Sequence, residues 1–97
     1  MWACVIGVTL RIPGVRSLKG KRSVLRPHIE RLRRLASISV SEIGHHEAWQ
    51  MAEIGLAIVA PDRAQMERIV AKVRSYLDGQ ADIELVEFAL GYFEDPR

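Results

Sequence analysis

Eight cations, Arg16, Lys19, Lys21, Arg22, Arg26, Arg31, Arg33 and Arg34, crowd one short stretch whose single acid is Glu30. Guanidinium and ammonium groups at this density are suited to holding phosphate oxygens through charge-assisted hydrogen bonds. Residues 1–34 carry nine Lys or Arg against one Glu, a formal +8, whereas residues 35–97 carry five bases and eleven acids, a formal −6. The modest net charge of +2 therefore conceals a strong dipole with one end suited to a polyanion. Nucleic acid or another large polyanion is the partner class implied, and charge alone names no reaction and no specific target.

Other chemistry is thinly represented. His45, His46, Glu47 and nearby Glu42 are metal-ligand types, but adjacent histidines in an extended or turn segment point apart, so no metal and no cofactor is expected. Ser37, Ser39 and Ser41 alternate along a strand with no Gly-rich elbow around them, which argues against a serine nucleophile. Cys4 is the one cysteine, so no intrachain disulfide forms, and its apolar surroundings read as a small buried hydrophobe. The expectation is a non-enzymatic protein. The apolar run from Trp2 to Leu10 lacks a basic leader and is too short to span a bilayer, so a cytoplasmic protein without a membrane association is expected. Eleven Arg against three Lys, with no Asn, fits a thermophilic source or GC-rich codons.

The elements that position the cations follow from apolar spacing. Trp2, Cys4, Ile6, Val8, Leu10 and Ile12 alternate, which predicts a strand over 2–12. Pro13-Gly14 breaks it, and Ser17 caps a helix over 18–36 with Leu18, Leu25, Ile29, Leu32 and Ala36 on its apolar arc. Pro27 falls inside that helix, where a lost hydrogen bond and a steric clash predict a kink or a late start. Residues 37–43 and 48–60 read as two strands of a hairpin joined at Gly44-His45-His46-Glu47. Asp62 caps a second helix, with Gln65 in the capping-box position, Met66, Ile69, Val70, Val73 and Leu77 as its core stripe and Gly79 ending it. A last strand covers 82–93. The order β-α-β-β-α-β within 97 residues predicts a single α+β, ferredoxin-like split βαβ domain, a four-stranded antiparallel sheet with both helices on one face.

On the first helix Lys19, Arg22, Arg26 and Arg33 share an arc of about 60° with Glu30 and form a ridge about 21 Å long at 1.5 Å per residue. A solvated face normally mixes signs, and this one barely does. Lys19, Lys21 and Arg22 also crowd the helix start, where the dipole disfavours cations by about 0.3–1 kcal/mol each. An anion on the free amides of residues 18–20 would compensate, which makes Pro13 to Ser17, with Arg16 and Ser17, a candidate phosphate seat. A strand-to-helix turn with a serine cap needs the same residues for shape alone.

The chain resembles the YlxP-like family of small bacterial proteins. The resemblance rests on Ile12-Pro13-Gly14, on Ser17-Leu18-Lys19 with Lys21-Arg22 and Val24-Leu25, on Val40 with Glu42, and on Trp49-Gln50 followed by Ala52-Glu53 and Gly55. It implies a ferredoxin-like fold and a gene neighbourhood of translation initiation and ribosome maturation, and it carries over no catalytic residues. Members usually have Glu where this chain has Gly20, so the reciprocal half of the helix cap is missing here. Acylphosphatases share the general fold but need an asparagine, which this chain lacks.

Trp49, Met51, Gly55, Ala57 and Val59 alternate with the core set of the third strand, and Ala3 and Val5 do so on the first. Val5, Trp49 and Met51 thus mark an apolar open sheet face. With Trp49 as its one aromatic, that face is better suited to a homodimer than to base stacking. Three readings stand: RNA or ribosome binding through Arg16, Lys19, Lys21, Arg22, Arg26 and Arg33; docking of the basic ridge on an acidic protein; and a small phosphorylated ligand at Ser17 to Gly20.

Overall fold

The structure, a computed structural model, describes residues 1–95. β1 spans Trp2–Arg11, α1 Leu18–Leu35, β2 Ile38–Gly44, β3 Met51–Ala60, α2 Arg63–Asp78 and β4 Glu84–Glu94. The four strands form one antiparallel sheet in the order β2-β3-β1-β4. This is the ferredoxin-like split βαβ arrangement that the element order predicts.

Alternation decides which face the helices cover. Cys4, Ile6, Val8 and Leu10 of β1 lie in register with Ile58, Leu56, Ile54 and Ala52 of β3, and all eight are buried. Leu25 and Leu32 of α1, with Met66, Val73 and Leu77 of α2, close the same core. A fully buried Leu, Ile or Met side chain contributes about 1.5–3 kcal/mol, so this layer holds the sheet to the helices. Burial pushes the Cys4 thiol above its ordinary value of 9.0. Thiolate is therefore scarce near neutrality. Cys4 is expected to resist alkylation in the native state and to react in urea, and rapid native labelling with iodoacetamide would contradict its burial.

Most element ends shift by one or two residues from those expected, and the largest shift is at the hairpin. The hairpin connection runs over 45–50 rather than over Gly44 to Glu47, with His45 at a φ of 56°, and Trp49 lies in this bend rather than on β3. The carbonyls of His45, Ala48 and Met51 are drawn to a side chain of α1, as described below, so the ladder starts only at Met51. The late start at Pro27 does not occur, because α1 is already helical from Leu18. Pro27 deprives the Ser23 carbonyl of its amide partner, but both residues are exposed, which lowers the cost of the lost bond.

Candidate nucleic-acid interface

Gly14, at a φ of +78°, makes the turn between β1 and α1, a backbone region that glycine enters without steric cost. Ser17 then stops the extended chain, and its Oγ accepts the Gly20 amide at 2.9 Å. Gly20 has no side chain to return the bond, so the cap is one-sided. One of the three amides expected to seat a phosphate is thus already satisfied within the chain.

From this start α1 carries its cations in two directions. Arg16, Lys19, Arg22, Arg26 and Arg34 are exposed and form no ion pair among the described residues. Lys19, Arg22, Arg26, Arg31 and Arg34 flank a shallow open depression of about 800 Å3 along the helix, with Ser23, Pro27 and Glu30 between them. Arg31 also reaches across to the Tyr76 hydroxyl at 3.5 Å, a contact that favours its charged form. Arg33 leaves the expected ridge: its guanidinium bonds Glu30 and donates to the Val40 carbonyl at 3.0 Å, tying α1 to β2. Arg33 is thus exposed but engaged, and the unpaired set is Lys19, Arg22, Arg26 and Arg34. Arg34, which projection left off the ridge, belongs to it.

Lys21 is the larger correction. It is buried, with its side chain only 2% exposed, and cannot meet a phosphate. Its ammonium has three donors, and they go to the carbonyls of Ala48 at 2.6 Å, His45 at 2.8 Å and Met51 at 3.1 Å. The Glu42 carboxylate, 3.7 Å away, supplies the opposite charge. A cation at a helix start, which looked like a broken local rule in need of an anion, is compensated from within the fold. Gln50 extends the clasp, donating its side-chain amide to the Val15 carbonyl at 3.1 Å and accepting the Ile12 amide at 2.8 Å. The loops 13–17 and 45–50 are thus held side by side at the N-terminal end of α1.

His28 is a second polar residue of α1 that apolar spacing did not reveal as buried. Its Nε2 lies 2.8 Å from Asp82 Oδ1 and its Nδ1 2.6 Å from the Tyr76 hydroxyl. The carboxylate accepts from Nε2–H, which in the neutral ring leaves Nδ1 to accept the phenol proton. The trio ties α1 to α2 and to the segment leading into β4. Tyr76→Phe is expected to cost about 1–2 kcal/mol in urea unfolding, because it leaves Nδ1 buried and unpaired. Among the described residues no three His, Cys, Asp or Glu side chains gather as a metal site, and no helix is long and apolar enough to cross a membrane.

The family described as "Protein of unknown function (DUF503)" matches residues 4–90, which takes in α1, its cap and both clasped loops. The chain belongs to this family. It is also 37% identical over 68 residues to "Uncharacterized protein YlxP" of Bacillus subtilis (strain 168), an alignment covering 70% of this chain and 74% of that protein. The family likeness read from Ile12-Pro13-Gly14 and Ser17-Leu18-Lys19 is thereby shown. In this DUF503 chain Lys21, Glu42 and the 45–50 loop are parts of one buried clasp.

Proposed function

We propose that this protein is a non-enzymatic RNA-binding factor that grips successive phosphates along α1 and acts on the ribosome or its RNA. The observation that supports this reading is the set of exposed cations on one helix face, Lys19, Arg22, Arg26 and Arg34, with Arg31 beside them and Arg16 at the helix entrance. These exposed cations outnumber the one acid among them, Glu30, so they repel one another in the free protein, and phosphates relieve that repulsion while releasing counterions. From Lys19 to Arg34 the face is about 22 Å long, room for about four phosphates of a strand. The ribosomal part of the reading rests on the gene neighbourhood implied by the family likeness.

Binding of purified protein to ribosomal RNA, small ribosomal subunits and random RNA, each over a range of salt, tests this. Four phosphate contacts on single strands give a log-log salt slope of about −3. Affinity that ignores salt, or no affinity for any of the three, would sink the proposal. Capture of an acidic protein by the same helix face, with no RNA bound, would install the protein-docking alternative instead.

A further inference from the structure

The sheet face turned away from the helices is the largest surface left without a role by phosphate binding on α1. Registration across the strands sorts it into rows. Val59, Ala3 and Phe93 make the first row, and Ala57, Val5 and Gly91 the second, with Ser39 of β2 beside Ala57. Gly55, Gly7 and Ala89 make the third, with Ser41 beside Gly55. No residue of these rows carries a charge. Val5, Val59 and Phe93 are 49%, 59% and 60% exposed, values far from those of a settled core. In the fourth row Glu53 and Glu87 stand on either side of Thr9.

Relief alternates along the strands as sharply as charge does. The first row carries the large Val59 and Phe93 side chains. Four residues on, the third row is lower: a Cβ added at Gly7 would meet nothing within 4 Å, while at Gly55 it would meet the Ile43 side chain of β2 at 3.1 Å, so the open part of the trough lies at Gly7. Around it lies an open apolar depression of about 430 Å3, whose walls include Val5, Ser41, Ile43 and Ala57. A raised row and a lower one about 13 Å apart, one on either side of Val5, are the relief that an isologous two-fold contact at Val5 brings together.

We propose that this face pairs with the same face of a second copy of the chain, strands antiparallel across the interface, the row of Val59, Ala3 and Phe93 of each copy lying against the row of Gly55, Gly7 and Ala89 of the other. Charge selects this geometry. A two-fold axis along the strands would stack Glu53 and Glu87 on their own copies, whereas an axis across the strands at Val5 sets each acidic row beyond the partner's first row. Charge also disfavours RNA as the occupant, since the acids bordering the rows repel phosphate and no cation lies within the rows. With the axis at Val5 about seven residues of each strand overlap, so four strands about 4.8 Å apart present roughly 450 Å2 and two copies bury about 900 Å2, the size of a weak, concentration-dependent contact. In the pair the two α1 helices lie on opposite outer surfaces, free to bind separate stretches of a polyanion.

Sedimentation equilibrium over a concentration series decides the matter. The full chain is expected to rise from 11.0 kDa toward twice that mass as concentration increases. Val5→Glu places a charge at the centre of the contact and is expected to weaken association by about tenfold or more. A Cβ at Gly7 meets nothing within 4 Å, so Gly7→Gln is expected to fold, to fill the trough and to stay monomeric, which covers the case of Val5→Glu failing to fold. A wild-type chain monomeric at every concentration, or a Gly7→Gln variant that dimerises as the wild type does, overturns the proposal. Loss of RNA binding in Gly7→Gln with the wild type monomeric would also overturn it and assign the face to RNA.

Discussion

Lys21→Met is expected to lower the unfolding free energy by about 3 kcal/mol, with a fall in Tm on the order of 15 °C, although the substituted residue is one of several cations on a basic helix. The loss comes from the other end of the hydrogen bonds. Methionine fills the volume of the lysine stem but leaves the carbonyls of His45, Ala48 and Met51 without donors, and Glu42 without its counter-charge. Each stranded buried acceptor costs about 1–3 kcal/mol, reduced where water reaches the opened loop. Lys21→Arg is not expected to rescue stability, because the planar guanidinium cannot place three donors around the point that the ammonium occupies. Lys19→Met, one turn's fraction away and exposed, is expected to stay within about 0.5 kcal/mol of wild type. Urea unfolding of the three variants measures this, with hydrogen exchange at the Ile12 amide reporting whether the 45–50 loop has come loose. Equal stabilities of the Lys19 and Lys21 variants would show that the clasp contributes nothing.

The double reversal Arg22→Glu, Arg26→Glu is expected to leave the fold intact and to weaken RNA binding by about a hundredfold at 0.1 M salt, with the log-log salt slope falling from about −3 to about −1.4. Both side chains are exposed, flank the depression on α1 and hold no ion-pair partner among the described residues, so nothing in the core depends on them. Two of about four phosphate contacts vanish, and two acids add repulsion. The effect is expected on every RNA sequence alike, since phosphate contacts carry no base information. Lys21→Met, compared at a temperature where it is folded, is expected to retain most of the affinity because its ammonium never faces solvent. If the Lys21 variant and the double reversal lose affinity to the same degree, the binding surface lies at the 45–50 loop and not along α1.

Short-range pattern accounts for much of what was legible. The alternation of Cys4, Ile6, Val8 and Leu10 and the spacing of Met66, Ile69, Val70, Val73 and Leu77 each repeat with the period of one element, so the buried face can be read without knowing its neighbour. Ser17 and Asp62 announced both helix starts because a cap is a contact across three residues. Arg33 was harder, since its place off the ridge depends on Val40 across the helix-to-strand junction.

Composition and periodicity by themselves determined the element order, the split βαβ fold, the core stripes and the concentration of positive charge on the first helix. Tertiary structure alone decided which of those charges face outward. Lys21 and His28 have the same sequence character as their exposed neighbours, and their burial is settled by the carbonyls of the 45–50 loop and by Tyr76 and Asp82, partners between 24 and 54 residues away. A buried polar side chain is stable only where distant groups converge to satisfy it, and convergence over such separations leaves no periodic trace in the chain.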